Sequence, residues 1–262
     1  MNGGQSLSVP GLLVDAAKIH WANILTFAAT AAVYAGGLLI VAGTIVSTEP
    51  GSEVAENVTL SADPMSLFVG LILILLLSAG AFVLWLRIGA LGLNAALQVP
   101  PGGWFRPILR TAGLLIAAGL MGFVPVALVA GLVLGATQTM SVGAIAFIVL
   151  LLTAAINVAV AMLFVPLVET SLGSGCFGSP QVRAMASALR PILIGTLLAA
   201  TFGLTFIGMF LLQLFAAVEA AISMQLVQSL ISALSVTFIA TILGIAYRRL
   251  REIASPPADL QR

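Results

Sequence analysis

The sequence predicts an all-α, polytopic membrane protein: six transmembrane helices preceded by a short N-terminal interfacial helix. Three observations carry that reading. Only 7% of the 262 residues are charged and 61% are hydrophobic, whereas a soluble domain carries roughly 25% charged residues because its surface meets water. The apolar residues gather into runs of about twenty or more, the length at which a helix crosses the hydrocarbon core of a bilayer. Every Lys and Arg, ten in all, falls in alternate connections between those runs.

The same numbers exclude other classes. A mean hydropathy of +1.19 is the reverse of a disordered chain. A transmembrane barrel would alternate apolar and polar residues over segments of about ten, and the runs here are unbroken. The net charge of +1 with scattered basic residues provides no basic face, so no nucleic-acid partner is expected. Cys176 is the only cysteine, which rules out an intramolecular disulfide and a cysteine-based metal site.

The chain divides into an interfacial segment (1–20), a six-helix membrane domain (21–247) and a cytoplasmic tail (248–262). In the first part Ser8 can cap a helix and Pro10 can occupy its first turn. Leu12, Leu13, Ala16 and Ile19 then recur at helical spacing while Asp15 and Lys18 take another side, the pattern of an amphipathic helix lying at the membrane surface. The first basic residue is Lys18, so the basic region of a signal peptide is missing and the first apolar run is expected to be an uncleaved span.

The six runs are Trp21–Val46, Ser66–Leu86, Thr111–Ala136, Val142–Val168, Ile192–Phe215 and Met224–Tyr247. Between them the basic residues form four groups: Lys18; Arg87, Arg106 and Arg110; Arg183 and Arg190; and Arg248, Arg249, Arg251 and Arg262. Six spans put all four groups on one side, and an odd number would split them. The first, third and fifth loops hold no Lys or Arg, while Glu49, Glu53, Glu56, Asp63 and Glu219 lie there. Positive residues stay on the cytoplasmic side during insertion, so both termini are expected inside.

Two longer cytoplasmic loops contain stretches suited to surface helices, Arg87–Val99 and Gln181–Leu189, and Pro100-Pro101-Gly102-Gly103 turns the first sharply. The outer loops at Thr137–Ser141 and Ala216–Ser223 are short turns. Arg106-Pro107-Ile108-Leu109 recurs as Arg190-Pro191-Ile192-Leu193, and Gly119-Leu120 as Gly203-Leu204 at the same offset. That echo hints at a two-helix repeat in parallel orientation. The shared need for Pro in a first turn and Arg at the headgroups would also produce it.

Chemistry in a membrane stands out as ionisable residues within spans, and the central parts of these six runs hold none. No catalytic, cofactor-binding or metal-binding residue is therefore expected. His20, the only histidine, sits beside Trp21 and reads as an interfacial anchor; Arg87, Glu169 and Arg248 sit at span ends, where snorkelling accounts for them. The neutral polar residues are Asn157 and Thr153 in the fourth run, Thr201 and Thr205 in the fifth, and Ser235, Thr237 and Thr241 in the sixth. Asn157, Thr153, Thr201 and Thr205 are candidates for interhelical contacts or a polar path. Arg106, Arg190, Arg248, Arg249 and Arg251 are candidates for contact with lipid headgroups.

Small residues at Ala28, Ala32 and Gly36, and at Gly131 and Gly135, suggest close helix packing, and Pro125 suggests a kink in the third span. Gly173-Ser174-Gly175-Cys176-Phe177-Gly178 is Gly-rich but lacks the preceding strand and following Lys of a phosphate loop. Asn57-Val58-Thr59 is a glycosylation sequon in an outer loop.

Three segments carry a resemblance. They are Leu12-Leu13-Val14-Asp15-Ala16-Ala17-Lys18-Ile19-His20, Trp85-Leu86-Arg87 at the end of the second run, and Phe164-Val165-Pro166-Leu167-Val168-Glu169 at the end of the fourth. In these and in its layout the chain resembles a group of bacterial six-span proteins. The group includes the membrane domain attached to glycerophosphodiester phosphodiesterases and the YciC-type inner-membrane proteins. The resemblance implies a bacterial inner-membrane location and the six-span fold; with no catalytic phosphodiesterase domain in these residues it implies no activity. The expectation is a non-enzymatic scaffold, assembly or envelope-homeostasis component whose partners are the lipid bilayer and other membrane proteins. A permease or channel-like subunit is the alternative.

Overall fold

The computed structural model describes residues 7–45, 64–99, 102–137, 142–173, 176–178, 180–216 and 221–254, and every regular element among them is an α-helix. In chain order these are α1 (Val9–Ala22), α2 (Ile24–Ile45), α3 (Pro64–Leu91), α4 (Leu93–Leu97), α5 (Gly102–Thr137), α6 (Val142–Met162), α7 (Phe164–Leu172), α8 (Pro180–Ala188), α9 (Arg190–Ala216) and α10 (Ala221–Ala254). The acidic first loop with its sequon, the Pro100-Pro101 pair, Gln138 to Ser141, Glu219 and the tail beyond Ala254 lie outside the described residues, as do the surroundings of Gly135.

Four helices, α3, α5, α9 and α10, are long and apolar enough to cross a membrane unaided; the bent pairs α1–α2 and α6–α7 raise the number to six if each is one span. The chain is thus an integral membrane protein of four to six spans. The 22 residues of α2 extend roughly 33 Å at 1.5 Å per residue, enough for the hydrocarbon core without α1.

α1 meets α2 at 86°, the angle required of a helix lying flat before an upright one. Its start follows the expected capping: Ser8 Oγ accepts from the Gly11 amide at 3.3 Å and Pro10 occupies the first turn. At the turn, Asn23 donates from Nδ2 to the Ile19 carbonyl at 2.8 Å.

The fourth expected span, Val142–Val168, is not one straight helix. It breaks at Leu163 and bends by 63° between α6 and α7. Pro166 has no amide hydrogen for the Met162 carbonyl, and its ring crowds that oxygen. Nor is Arg87–Val99 a separate surface helix. Arg87 to Leu91 complete α3, Gly92 stops it at a φ of +84° that favours glycine, and only the five residues of α4 follow. The segment around Gln181–Leu189 does form a helix, α8. α5 begins at Gly102, nine residues before the expected Thr111, and runs continuously through Pro107 and Pro125. α10 continues seven residues beyond Tyr247, to Ala254, so the tail boundary at 248 falls inside a helix. Hydropathy marks the depth of the lipid core, whereas Arg and Leu favour helix on either side of that limit.

α10 is the central element, packed against α1, α2, α3 and α9; α3 continues to α5, and α6 closes the bundle between α5 and α9. The core collects at the end that carries the basic residues. Trp85, Leu86, Ile88, Phe164, Leu167, Leu197 and the whole of Thr241 to Tyr247 are buried there. Away from that end Phe68, Leu71, Phe123, Leu128, Phe147, Phe206 and Phe210 are exposed, an apolar outer surface that lipid would cover.

The closest helix pair is α3 with α10. A Cβ on Gly244 would stand 2.3 Å from the Leu86 carbonyl oxygen, and one on Gly89 would stand 2.6 Å from the Thr241 carbonyl oxygen. Backbone cannot retreat as a side chain can, so only glycine fits. The stripes expected from sequence do not serve this purpose: Ala28 and Ala32 are exposed, and nothing lies within 4 Å of a Cβ at Gly36 or Gly131. α2 instead packs through Ala31, Tyr34 and Leu38.

Gly244→Val is expected to destabilise the protein by about 3 kcal/mol or prevent folding, since overpacking against backbone leaves no cheap relaxation. Gly131→Val should stay within about 0.5 kcal/mol of the parent. Thermal unfolding in detergent, followed by circular dichroism, distinguishes the two.

Candidate functional site

Polar and aromatic side chains gather where α1 packs on α10, with Trp85 of α3 reaching in beside them. In α1 the buried positions are Leu12, Ala16 and His20, a stripe at i, i+4 and i+8. His20 is 7% exposed. Its Nδ1–H donates to the Ala16 carbonyl at 3.0 Å, and its Nε2 faces Thr237 Oγ1 of α10 at 3.2 Å; in the neutral ring Nε2 accepts from that hydroxyl. The ring stacks on Trp85 of α3 at 4.2 Å between centroids, and Phe27 and Phe238 cover its other sides at 5.8 and 5.3 Å. Trp85 Nε1–H donates to Thr30 Oγ1 of α2 at 3.2 Å, and the Thr30 hydroxyl donates to the Thr26 carbonyl at 2.8 Å. One imidazole and one indole thus join four helices.

His20 is therefore not the interfacial anchor its neighbour Trp21 suggested. Trp21 is 81% exposed while His20 turns inward, because adjacent helical residues point about 100° apart. The i, i+4 spacing to Ala16 and Leu12 is the signal that identifies it.

Five residues before His20 on α1, Asp15 forms an ion pair with Arg249 of α10. Arg249 is 7% exposed, so among the arginines predicted to meet headgroups this one turns inward instead. Charge alone cannot separate it from Arg248 or Arg251; the partner on α1, 234 residues away in sequence, decides. Arg106, Arg190 and Arg251 are exposed and Arg248 is half-buried.

Arg87 is buried as well, contrary to its reading as a snorkelling residue. Its Nε–H donates to the Ser171 carbonyl at 2.6 Å, and its guanidinium lies 4.6 Å from the ring centre of Trp104. A planar cation that both stacks and donates suits this position better than an ammonium would. It joins α3, α5 and α7.

The neutral candidates are brought together in part. Asn157 is buried and donates from Nδ2 both to Thr201 Oγ1 of α9 and to the Thr153 carbonyl, each at 2.9 Å. Thr153 donates to its own helix, at the Val149 carbonyl. Thr153, Thr201 and Thr205 line a groove of about 440 Å³ between α6 and α9 whose other walls include Phe147, Leu198 and Phe202. In α10, the Ser235 and Thr241 hydroxyls donate to carbonyls of their own helix, while the single Thr237 hydroxyl hydrogen lies within reach of both His20 Nε2 and the Leu234 carbonyl, at 3.2 and 3.1 Å.

Cys176 lies in the connection after α7, where the Tyr247 hydroxyl donates to its carbonyl at 2.9 Å. Burial pushes its thiol above the ordinary range, and the Glu169 carboxylate adds to the shift. Among the described residues no three His, Cys, Asp or Glu side chains group as a metal site would require. Comparison with protein-family models, curated proteins and solved structures returned no match.

Asp15→Asn removes the carboxylate that faces the buried Arg249 and should cost about 3 kcal/mol of stability. His20→Ala removes a stacked ring and two hydrogen bonds, and a loss of about 2–4 kcal/mol is expected; both are measured by thermal unfolding in detergent. Cys176 should alkylate slowly at pH 7, because a raised thiol pKa leaves little thiolate. The rate should climb as pH rises toward that value and jump on unfolding in dodecyl sulfate, as followed by mass shift.

Proposed function

We propose that this chain is a non-catalytic membrane scaffold or assembly component of a bacterial inner membrane, with both termini in the cytoplasm. The carrying observation is how its mid-membrane polar groups are used. Asn157, the most polar residue of that depth, directs its amide hydrogens to the Thr201 hydroxyl and the Thr153 carbonyl, and Thr153, Ser235 and Thr241 direct their hydroxyl hydrogens to carbonyls of their own helices. Groups committed to helix–helix and helix-internal bonds hold a bundle together. The confinement of all Lys and Arg to alternate connections supports the inward orientation of the termini. The resemblance to the YciC-type group supports the bacterial inner membrane.

The groove between α6 and α9, with three threonines on its walls, favours a second reading as a transport subunit. Purification in mild detergent should recover a stoichiometric membrane-protein partner under the scaffold reading. Solute flux in proteoliposomes that Asn157→Leu abolishes, at unchanged folding, would replace it with the transport reading. Maleimide reaching a cysteine placed at Arg106 only after the membrane is opened is expected for the proposed orientation.

A further inference from the structure

A second pocket, of about 400 Å³, opens at the basic end between the start of α5 and α7. Its walls include Gly103, Arg106, Pro107 and Arg110 on α5 and Glu169 and Thr170 on α7. Arg106 and Arg110 are four residues apart and so share a face of α5. Both are exposed, and neither has a hydrogen-bond or ion-pair partner among the described residues. Glu169 is already paired with Arg183 of α8, so the two guanidinium charges in the pocket stand uncompensated. Behind them, Arg87 bonds to Ser171, next to the Thr170 wall, and lies over Trp104, next to the Gly103 wall. That buried cation fixes both walls and adds positive potential to the cavity.

We propose that this pocket binds a phosphate group carrying net negative charge, held between Arg106 and Arg110. Two guanidinium forks on one face of α5, without protein acceptors among the described residues, match the oxygens of a phosphate monoester or diester. The Thr170 hydroxyl on the opposite wall is a further donor. The inference builds on the membrane reading above, which puts this end at headgroup level, where an anionic phospholipid would be the nearest source of such a group. Free phosphate presents the same chemistry.

The experiment uses the full chain in nanodiscs of equal parts phosphatidylglycerol and phosphatidylcholine, extracted gently and examined by native mass spectrometry for retained lipid. In parallel, delipidated chain is titrated with inorganic phosphate by calorimetry. Retention of phosphatidylglycerol over phosphatidylcholine, reduced on the order of tenfold in Arg106→Gln/Arg110→Gln, supports a lipid phosphate. Phosphate binding lost in the same variant supports a free one. Arg190→Gln/Arg251→Gln, which removes two exposed arginines elsewhere, should leave either signal unchanged. Equal loss in both double variants means diffuse surface charge and overturns the site, as does no retention and no phosphate binding in the parent chain. Arg110→Glu alone, expected to abolish binding while thermal unfolding is unchanged, guards against a folding defect in the double variant. A chain that fails to enter nanodiscs would remove the membrane reading itself, whereas one that enters and retains nothing removes only the pocket.

Discussion

The contact of α3 with α10 through Gly89 and Gly244 is the constraint on which the rest of this fold depends. In lipid, two helices gain nothing from leaving water, so their association rests on dispersion and on polar bonds between them. Both fall off steeply with separation. Glycine at the crossing brings the backbones into direct contact, and α10 can then serve as the element against which α1, α2, α3 and α9 pack. α5 extends this unit from α3, and α6 closes it by reaching both α5 and α9.

α1 secures the crossing. Lying at a right angle to α2, it presents Leu12, Ala16 and His20 to the central helices. The stack of His20 on Trp85, with Thr237 and Thr30 beyond, converts a contact between two helices into one among four. Asp15 and Arg249 add an ion pair at the same end. A polar group with a partner in a low-dielectric setting holds strongly, and a group without one is costly. These side chains therefore specify one arrangement of helices that greasy surfaces alone would leave loosely defined.

The result is a molecule with two unlike ends. The basic end is dense with arginine, aromatic rings and full burial, and two arginines on its rim have no hydrogen-bond or ion-pair partner among the described residues. Toward the other end the helices expose large apolar side chains. The apolar spanning helices, the short N-terminal helix and the Ser8 cap were legible because they depend on composition, length and local periodicity. The break at Leu163 was legible only in part: Pro166 was visible, but whether a proline kinks, breaks or is accommodated depends on what surrounds it. α5 runs continuously through Pro125, while α6 stops short of Pro166.

What the sequence by itself determined is the class of the protein and the alternation of its charge, since burial in lipid imposes about twenty apolar residues per span whatever the fold. Asn157 and Thr201 were identified as candidates for joining helices, because a polar side chain at that depth must find a partner. Only the tertiary structure decided which partner each residue has. His20 with Trp85, Arg249 with Asp15, Arg87 with Ser171 and Gly244 with Leu86 are pairs from distant parts of the chain, and no local periodicity encodes them. They follow from how helices of similar hydrophobicity pack, and that depends on shape and close contact rather than on composition.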